Sequence, residues 1–267
     1  MSGEIYNGGF KYKYMEYGVG AKCLIKDATI KFTNPDEFND PFDCLPSYSL
    51  NDAEELVKKD KVSFKRAADF LGYSPAERIM KKKEMVAKVK ASVDQGDWVK
   101  SIRRNVGICS LTPKACNLLM WAHYGDNHRG VVAEFKNQIP NNLDLMQEYL
   151  CSFIVKYSKN KPIEELLTSD YDHALLIKGS DWEYEDEIRC LDIDRGAGIY
   201  SYRRDLLESI ILGVKFDGNR VGEIKDIVDG VNEKYGLNVR LYRAKMVDDS
   251  YKIYIPGHPV YGDPAWG

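Results

Sequence analysis

The sequence predicts an α+β fold, and three patterns carry that prediction. Strand-like segments flank a charged helical stretch at residues 51 to about 104. Strands and helices alternate without the regular βαβ spacing of a single parallel sheet. A long amphipathic segment at 221–236 supplies a helix whose apolar side needs covering. At 267 residues the chain fits one α+β domain, 1–267, carrying that helical stretch as an insertion.

Taken in order, "FKYKYMEY" at 10–17 alternates weakly and predicts a strand. "AKCLIKDATIKFTNP" follows as a short amphipathic turn or helix and then a strand. "NPDEFNDPFD" at 34–43 holds two prolines, two asparagines and three aspartates, which predict a loop. The insertion opens with Asn51 and Asp52 as candidate N-caps. A second helix start has Ser74 as cap, Pro75 at the first helical position and Glu77 placed to reach back. Ile79, Met80, Met85, Val86, Val89 and Val93 then recur near helical period. The lysines at 81, 82, 83, 88 and 90 form either a solvated face or a phosphate-binding one.

Strands return after Asn105. "VGICSLT" stops at Pro113, "ACNLLMWAHYG" is a short helix closed by Gly125, and "GVVAEF" and "EYLCSFIVKYS" are strands. "PIEELLTSDYDHALLIKG" predicts a helix pair ending at Gly179. "EDEIRCLDI" is a strand, and "LLESIILGVKF" contains one. Residues 221–236 form a helix on Val221, Ile224, Ile227 and Val231. "NVRLYRAKMV" and "YKIYIPG" predict a terminal pair of strands.

Composition excludes some classes of partner. A net charge of −3 gives no global basic field to recruit nucleic acid or anionic membrane, although a local groove remains open. No run approaches the roughly 18 apolar residues of a membrane span. The first residues, "MSGEIYNGGFKYKY", lack the apolar core of a signal peptide. The six cysteines are scattered through apolar stretches, which predicts buried, reduced thiols and a cytoplasmic protein. The 18 tyrosines suit either a ligand cleft or the wet edge of a core.

Four kinds of chemistry can be tested on motifs. His123 and His128 match half of a zinc pattern, but Cys109 and Cys116 are separated by six residues and Gly125 interrupts the helix, so no metal is expected. A Cys–His or Ser–His pair from Cys109 or Ser110 with His123 lacks any nucleophile elbow. Neither a P-loop nor a Rossmann glycine pattern is present. The acidic stretch "DWEYEDEIR" is the most suggestive: Glu183, Glu185 and Glu187 recur at every second residue, and on a strand they share a face. Such carboxylates either support cleavage of a glycosidic bond or blunt an exposed strand edge.

Several segments together, "FTNPDEFNDPFD", "CSLT" followed by "LLMWAHYGDNHRGVVAEF", "VKYS", "WEYEDEIR" and "IILGVKF", resemble an uncharacterised bacterial domain family often met near mobile and defence genes. The resemblance spans about residues 10–215 apart from the insertion. The order of elements also resembles, more distantly, the ADP-ribosyltransferase superfamily, which splits NAD between two small sheets. That resemblance implies split small sheets, NAD as substrate and a macromolecular acceptor, either nucleic acid or protein. It implies a toxin or anti-phage effector with an antitoxin or immunity partner, and no membrane.

Carried over by residue, Tyr12 and Tyr14 stand for the first motif, where many members place His or Arg. Ser110 and Thr112 stand for the second, and Glu185 and Glu187 for the third. The resemblance then implies that nicotinamide stacks on tyrosine and that Ser110 and Thr112 hold the ribose or the strand. Glu187 bonds the ribose 2′-hydroxyl, and Glu185 orients or deprotonates the acceptor. Asn39 and Asp40 line the rim, and His123 and Tyr124 face the cleft. Trp121 anchors its helix in the core, and His128 stays in a loop. Arg189 either meets a pyrophosphate oxygen or balances the glutamates. The alternatives are NAD hydrolysis at the same site, a non-catalytic nucleic-acid or protein-binding module, and a Mg²⁺-dependent hydrolase.

Overall fold

The computed structural model describes residues 3–49, 68–95, 103–165 and 174–266, together with 65, 97 and 100. In chain order its strands are β1 (Phe10–Met15), β2 (Thr29–Phe32), β3 (Ser47–Ser49), β4 (Gly107–Leu111), β5 (Val131–Lys136), β6 (Phe153–Ile154), β7 (Lys156–Ser158) and β8 (Ile163–Glu165). They continue as β9 (Ile177–Gly179), β10 (Ile188–Asp192), β11 (Gly198–Ser201), β12 (Leu207–Leu212), β13 (Arg240–Arg243), β14 (Lys245–Met246) and β15 (Ile253–Tyr254). The helices used below are α1 (Val19–Asp27), α2 (Pro75–Met80), α3 (Lys82–Asp94), α4 (Leu118–His123) and α5 (Val221–Tyr235).

The fold is mixed α+β, with several small sheets and a few helices. The largest sheet has the order β1-β5-β12-β13. Its first three strands are antiparallel neighbours, and β13 joins parallel to β12. A parallel neighbour needs a crossover, which α5 provides. Ile224, Ile227, Val228 and Val231 bury one side of α5, and Gly236 ends it in the left-handed conformation at φ 65°. This helix and α1, through Ala21, Leu24 and Ile25, share one core with Val131, Ala133, Phe135 and Ile210 of the sheet. Val132 and Ile211, neighbours of these in sequence, pack instead with Tyr12, Tyr14, Trp121 and the C-terminal segment around Tyr261, as the period-2 alternation of strands requires.

A second sheet, β4-β10-β6, is antiparallel throughout. A backbone bridge joins the two sheets. Tyr12 of β1 exchanges both backbone hydrogen bonds with Thr112, just past β4, at 2.8 and 3.0 Å. Thr33, just past β2 in a separate two-stranded sheet with β11, pairs likewise with Ile108. The sheet of β4 is therefore joined to each of the other two by a bridge.

Some expected elements differ. The strand predicted over 148–158 is two short strands, β6 and β7, preceded by Leu150 at φ 51°. The helix pair predicted over 162–179 begins as β8 and ends as β9, and its middle lies outside the described residues. Residues 174–175 are helical, but β9 is drawn into a parallel pairing with β7, which the local pattern does not reveal. Of the insertion, Asn51 and Asp52 lie outside the described residues. The Ser74–Glu77 capping box forms as expected, but the helix breaks at Lys81 into α2 and α3. The two terminal segments do pair, but only through β14 and β15; the first half of the earlier segment, β13, joins the large sheet instead. The six cysteines are all free and, except for Cys23, buried. No helix among the described residues is long and apolar enough to cross a membrane.

Candidate active site

A cleft of about 390 Å³ opens beside the β1–β4 junction, within the usual size of small-molecule sites. Tyr12, Lys13 and Tyr14 reach it from β1, and Ser110 and Leu111 from β4. Helix α4 contributes Met120 and His123, and Tyr124 follows directly. Phe38, Asn39 and Asp43 come from the loop after β2, and Lys178 from β9. Glu185 and Glu187 complete the floor.

The glutamates arrive there by an unexpected route. Residues Ser180–Glu185 form a 3₁₀ helix, not a strand, and Glu183 points to solvent. Asp186 then adopts the left-handed conformation at φ 47°. That single reversal lets Glu185 and Glu187 both face Lys178, whose ammonium donates to them at 2.5 and 3.0 Å.

Around Lys178 lies a buried charge cluster. Arg189, fully buried, donates through Nε and Nη2 to the two oxygens of Glu187 at 2.9 and 2.8 Å. Nη2 also reaches Asp43 at 2.6 Å, while Nη1 is taken by the Leu175 carbonyl at 2.7 Å and by Cys44. Lys178 stands 3.6 Å from Asp43. Three carboxylates thus share two cations, which leaves the floor one negative charge in excess. Burial opposes ionisation of Glu187, but Arg189 and Lys178 outweigh it and hold the carboxyl well below the usual carboxylate range. Burial likewise opposes the charge on Lys178, and Glu187, Asp43 and Glu185 reverse that effect and raise it.

Glu185 and Glu187 are not equivalent. A carboxylate offers about four acceptor positions. Glu187 fills three with charged donors, two on Oε2 and one on Oε1, which leaves one position on Oε1 for the implied bond to a ribose hydroxyl. Glu185 receives one donor on each oxygen, Lys178 on one and the Tyr124 hydroxyl on the other at 2.5 Å. Each oxygen keeps a position for a ligand. Burial and the bond to Glu185 raise Tyr124, so its hydroxyl acts as a proton donor. Asn39 extends the chain by donating to the Tyr124 oxygen at 3.4 Å.

The remaining expected residues divide. Tyr12 and Tyr14 line the cleft but are buried, their hydroxyls turned to Glu134 and to the Lys114 carbonyl. The open aromatic faces belong to His123, which is exposed and pairs through Nδ1 with the Tyr184 hydroxyl at 3.1 Å, and to half-buried Tyr124. Thr112 is fully buried, stitches the sheets, and does not line the cleft. Asp40 lies outside the cleft lining as well. Arg189 spends its donors on carboxylates, a carbonyl and a thiol, which fits the balancing role and not pyrophosphate binding.

Trp121 is fully buried, and its indole N–H is held by the Ala115 carbonyl. Beyond it, Asp126, Asn127 and His128 are consecutive left-handed residues, a conformation that Asn, Asp and His tolerate better than most. They reverse the chain tightly enough that a Cβ on Gly125 would sit 2.7 Å from the Trp121 ring. His128 stacks on that ring at 6.4 Å between centroids.

Lys178, Asp43 and Lys13 were not singled out in the sequence. A lysine inside "LLIKG" was the available signal, because a charge within an apolar run needs a buried partner.

A family model described as "Protein of unknown function (DUF2971)" matches residues 120–190. The match takes in His123, Tyr124, Lys178, Glu185, Glu187 and Arg189 and leaves out β1, β4 and Asp43. No curated protein and no solved structure matches the chain.

Proposed function

We propose that the cleft binds NAD and cleaves its nicotinamide–ribose bond, passing ADP-ribose to a macromolecular acceptor. The observation that carries this reading is Glu185: a cleft-floor carboxylate with open acceptor positions, inside a cluster where carboxylates outnumber cations. A cleft lined from both a four-stranded and a three-stranded sheet is in keeping with the split-sheet arrangement of the ADP-ribosyltransferase superfamily.

The bond from C1′ to the pyridinium nitrogen breaks, and its electron pair leaves with neutral nicotinamide. The excess negative charge steadies the oxocarbenium-like centre. An acceptor nucleophile bonds C1′ and gives up its proton to Glu185, which returns it to solvent. Glu187 acts as a positioning residue, fixing Lys178 and through it Glu185. Lys13, whose ammonium donates to the Ser110 carbonyl at 2.8 Å, supplies a cation at the wall for the pyrophosphate.

The test is nicotinamide release from NAD by the full chain, compared with Glu185→Gln. The glutamine can accept from Lys178 and donate to Tyr124, so the fold survives. Release is expected to fall at least about 100-fold. A wild-type chain that releases no nicotinamide, with or without candidate acceptors, ends the reading. ADP-ribose set free and never attached would instead identify water as the acceptor.

A further inference from the structure

We propose that the groove adjoining the cleft seats a single-stranded nucleic acid as the acceptor; this rests on the transferase reading above. The groove has a volume of about 300 Å³ and shares Lys178 with the cleft. What it holds therefore lies next to Glu185, the partner of Lys178.

Two aromatic rings from separate segments form its walls, Phe42 of the loop after β2 and Trp182 of the 3₁₀ helix. Phe42 is 66% exposed, yet it stands on a built turn. The Asp40 carboxylate accepts from the Phe42 N–H at 2.8 Å, the Asp43 N–H bonds the Asp40 carbonyl, and Asp43 is pinned by Arg189. A large apolar ring held out into water on a rigid turn is a ready stacking platform. Beside it, Lys159 and Lys161 project from the turn between β7 and β8, which is fixed by the Asn160 N–H bonding the Ser158 hydroxyl at 3.1 Å. Lys161 lies 4.8 Å from the Phe42 ring centre.

Charge on the groove favours phosphate. Its lining carries three lysines, Lys159, Lys161 and Lys178, against two aspartates, Asp40 and Asp181. A protein partner fits less well, because lysine is depleted at protein interfaces. A duplex hides its base faces, whereas a single strand presents them together with its phosphates.

The experiment uses the full chain and a fluorescein-labelled single-stranded dodecamer, as RNA and as DNA, with the matching duplex. Anisotropy is followed across a salt series, and nicotinamide release from NAD is measured in parallel. Single strands are expected to bind more tightly than duplex, with a slope of log affinity on log salt of about −1.4, two phosphates' worth. Phe42→Ala should weaken binding at least about five-fold. Replacing Lys159 and Lys161 by alanine should flatten the slope. Neither change should alter basal nicotinamide release.

Absence of single-strand binding, equal binding of duplex, or binding unchanged in these variants overturns the proposal. So does transfer of label to protein alone. Binding that behaves as expected in a chain that releases no nicotinamide supports the nucleic-acid seat while removing the transferase reading.

Discussion

Two buried carboxylate clusters, one on the cleft floor and one at Glu134 of β5, are solved by opposite chemistry. In the cleft cluster, Glu187 is met by the cations Arg189 and Lys178. In the other, Glu134 of β5 receives the hydroxyls of Tyr12 and Ser209 and Nε2 of His258. His258 Nδ1 accepts from the backbone N–H groups of Val260 and Tyr261, so Nε2 carries the proton given to Glu134. Neither Glu134, Ser209 nor His258 lines the cleft. The difference teaches that burial alone does not mark a site. The Glu134 cluster is satisfied by its own neighbours and ties the C-terminal segment to the sheet. The cleft cluster carries surplus charge and leaves Glu185 with room to accept.

The largest expected effect breaks the cationic side. Arg189→Met strands Asp43 and Glu187 on Lys178 alone and should cost about 3–5 kcal/mol in urea unfolding. A loss below about 1 kcal/mol would mean that these charges are not buried as a unit.

Next is Glu187→Gln. Both of its oxygens face N–H donors, so the amide NH₂ must point at a cation whichever way it turns. A loss of about 2–3 kcal/mol is expected. The pH dependence sharpens this. The folded Glu187 carboxyl is held below its unfolded value, so its contribution is complete above about pH 4.3 and drains away as pH falls toward the folded value. Wild-type stability should drop between about pH 5 and about pH 3, and the glutamine variant should show a shallower acid limb. Parallel acid limbs would remove Glu187 from the account.

Much of this comparison was legible in the sequence, but unevenly. Glu185, Tyr124 and Asn39 stood out as acidic or aromatic residues in motif-rich segments, and they converge. The glutamates at every second residue imitated a strand, because a 3₁₀ turn closed by a left-handed residue can also bring alternate side chains together. Lys178 and Asp43 stayed hidden because pairing across 135 positions of sequence is a tertiary fact; locally one ends an apolar run and the other closes a turn. The parallel pairs β3–β8 and β7–β9 have three residues per strand, too few for a period to register. The longer alternating strands β1, β5 and β12 were readable because each buries side chains on a definite face.

A smaller effect is expected at the residue the two regions share. Tyr12 lines the cleft and also donates to Glu134 at 3.1 Å. Tyr12→Phe removes one of three donors and keeps the ring, so the loss should be about 1–2 kcal/mol by urea unfolding. If the cleft depends on Tyr12 only as a wall, nicotinamide release by this variant should stay within a few-fold of wild type.

The smallest effect is expected from Glu134→Gln, the same change that is costly at position 187. Here the amide can be accommodated. Its oxygen accepts from Tyr12 and His258, and its NH₂ donates to Ser209, whose hydroxyl turns from donor to acceptor. Stability should change by less than about 1 kcal/mol although a buried carboxylate has been replaced. The contrast between the two glutamines is the test of the comparison. Equal costs at 134 and 187 would mean that the number of donors, and not their charge and their freedom to reverse, governs both clusters. The surplus negative charge would then no longer distinguish the cleft floor from an ordinary buried network.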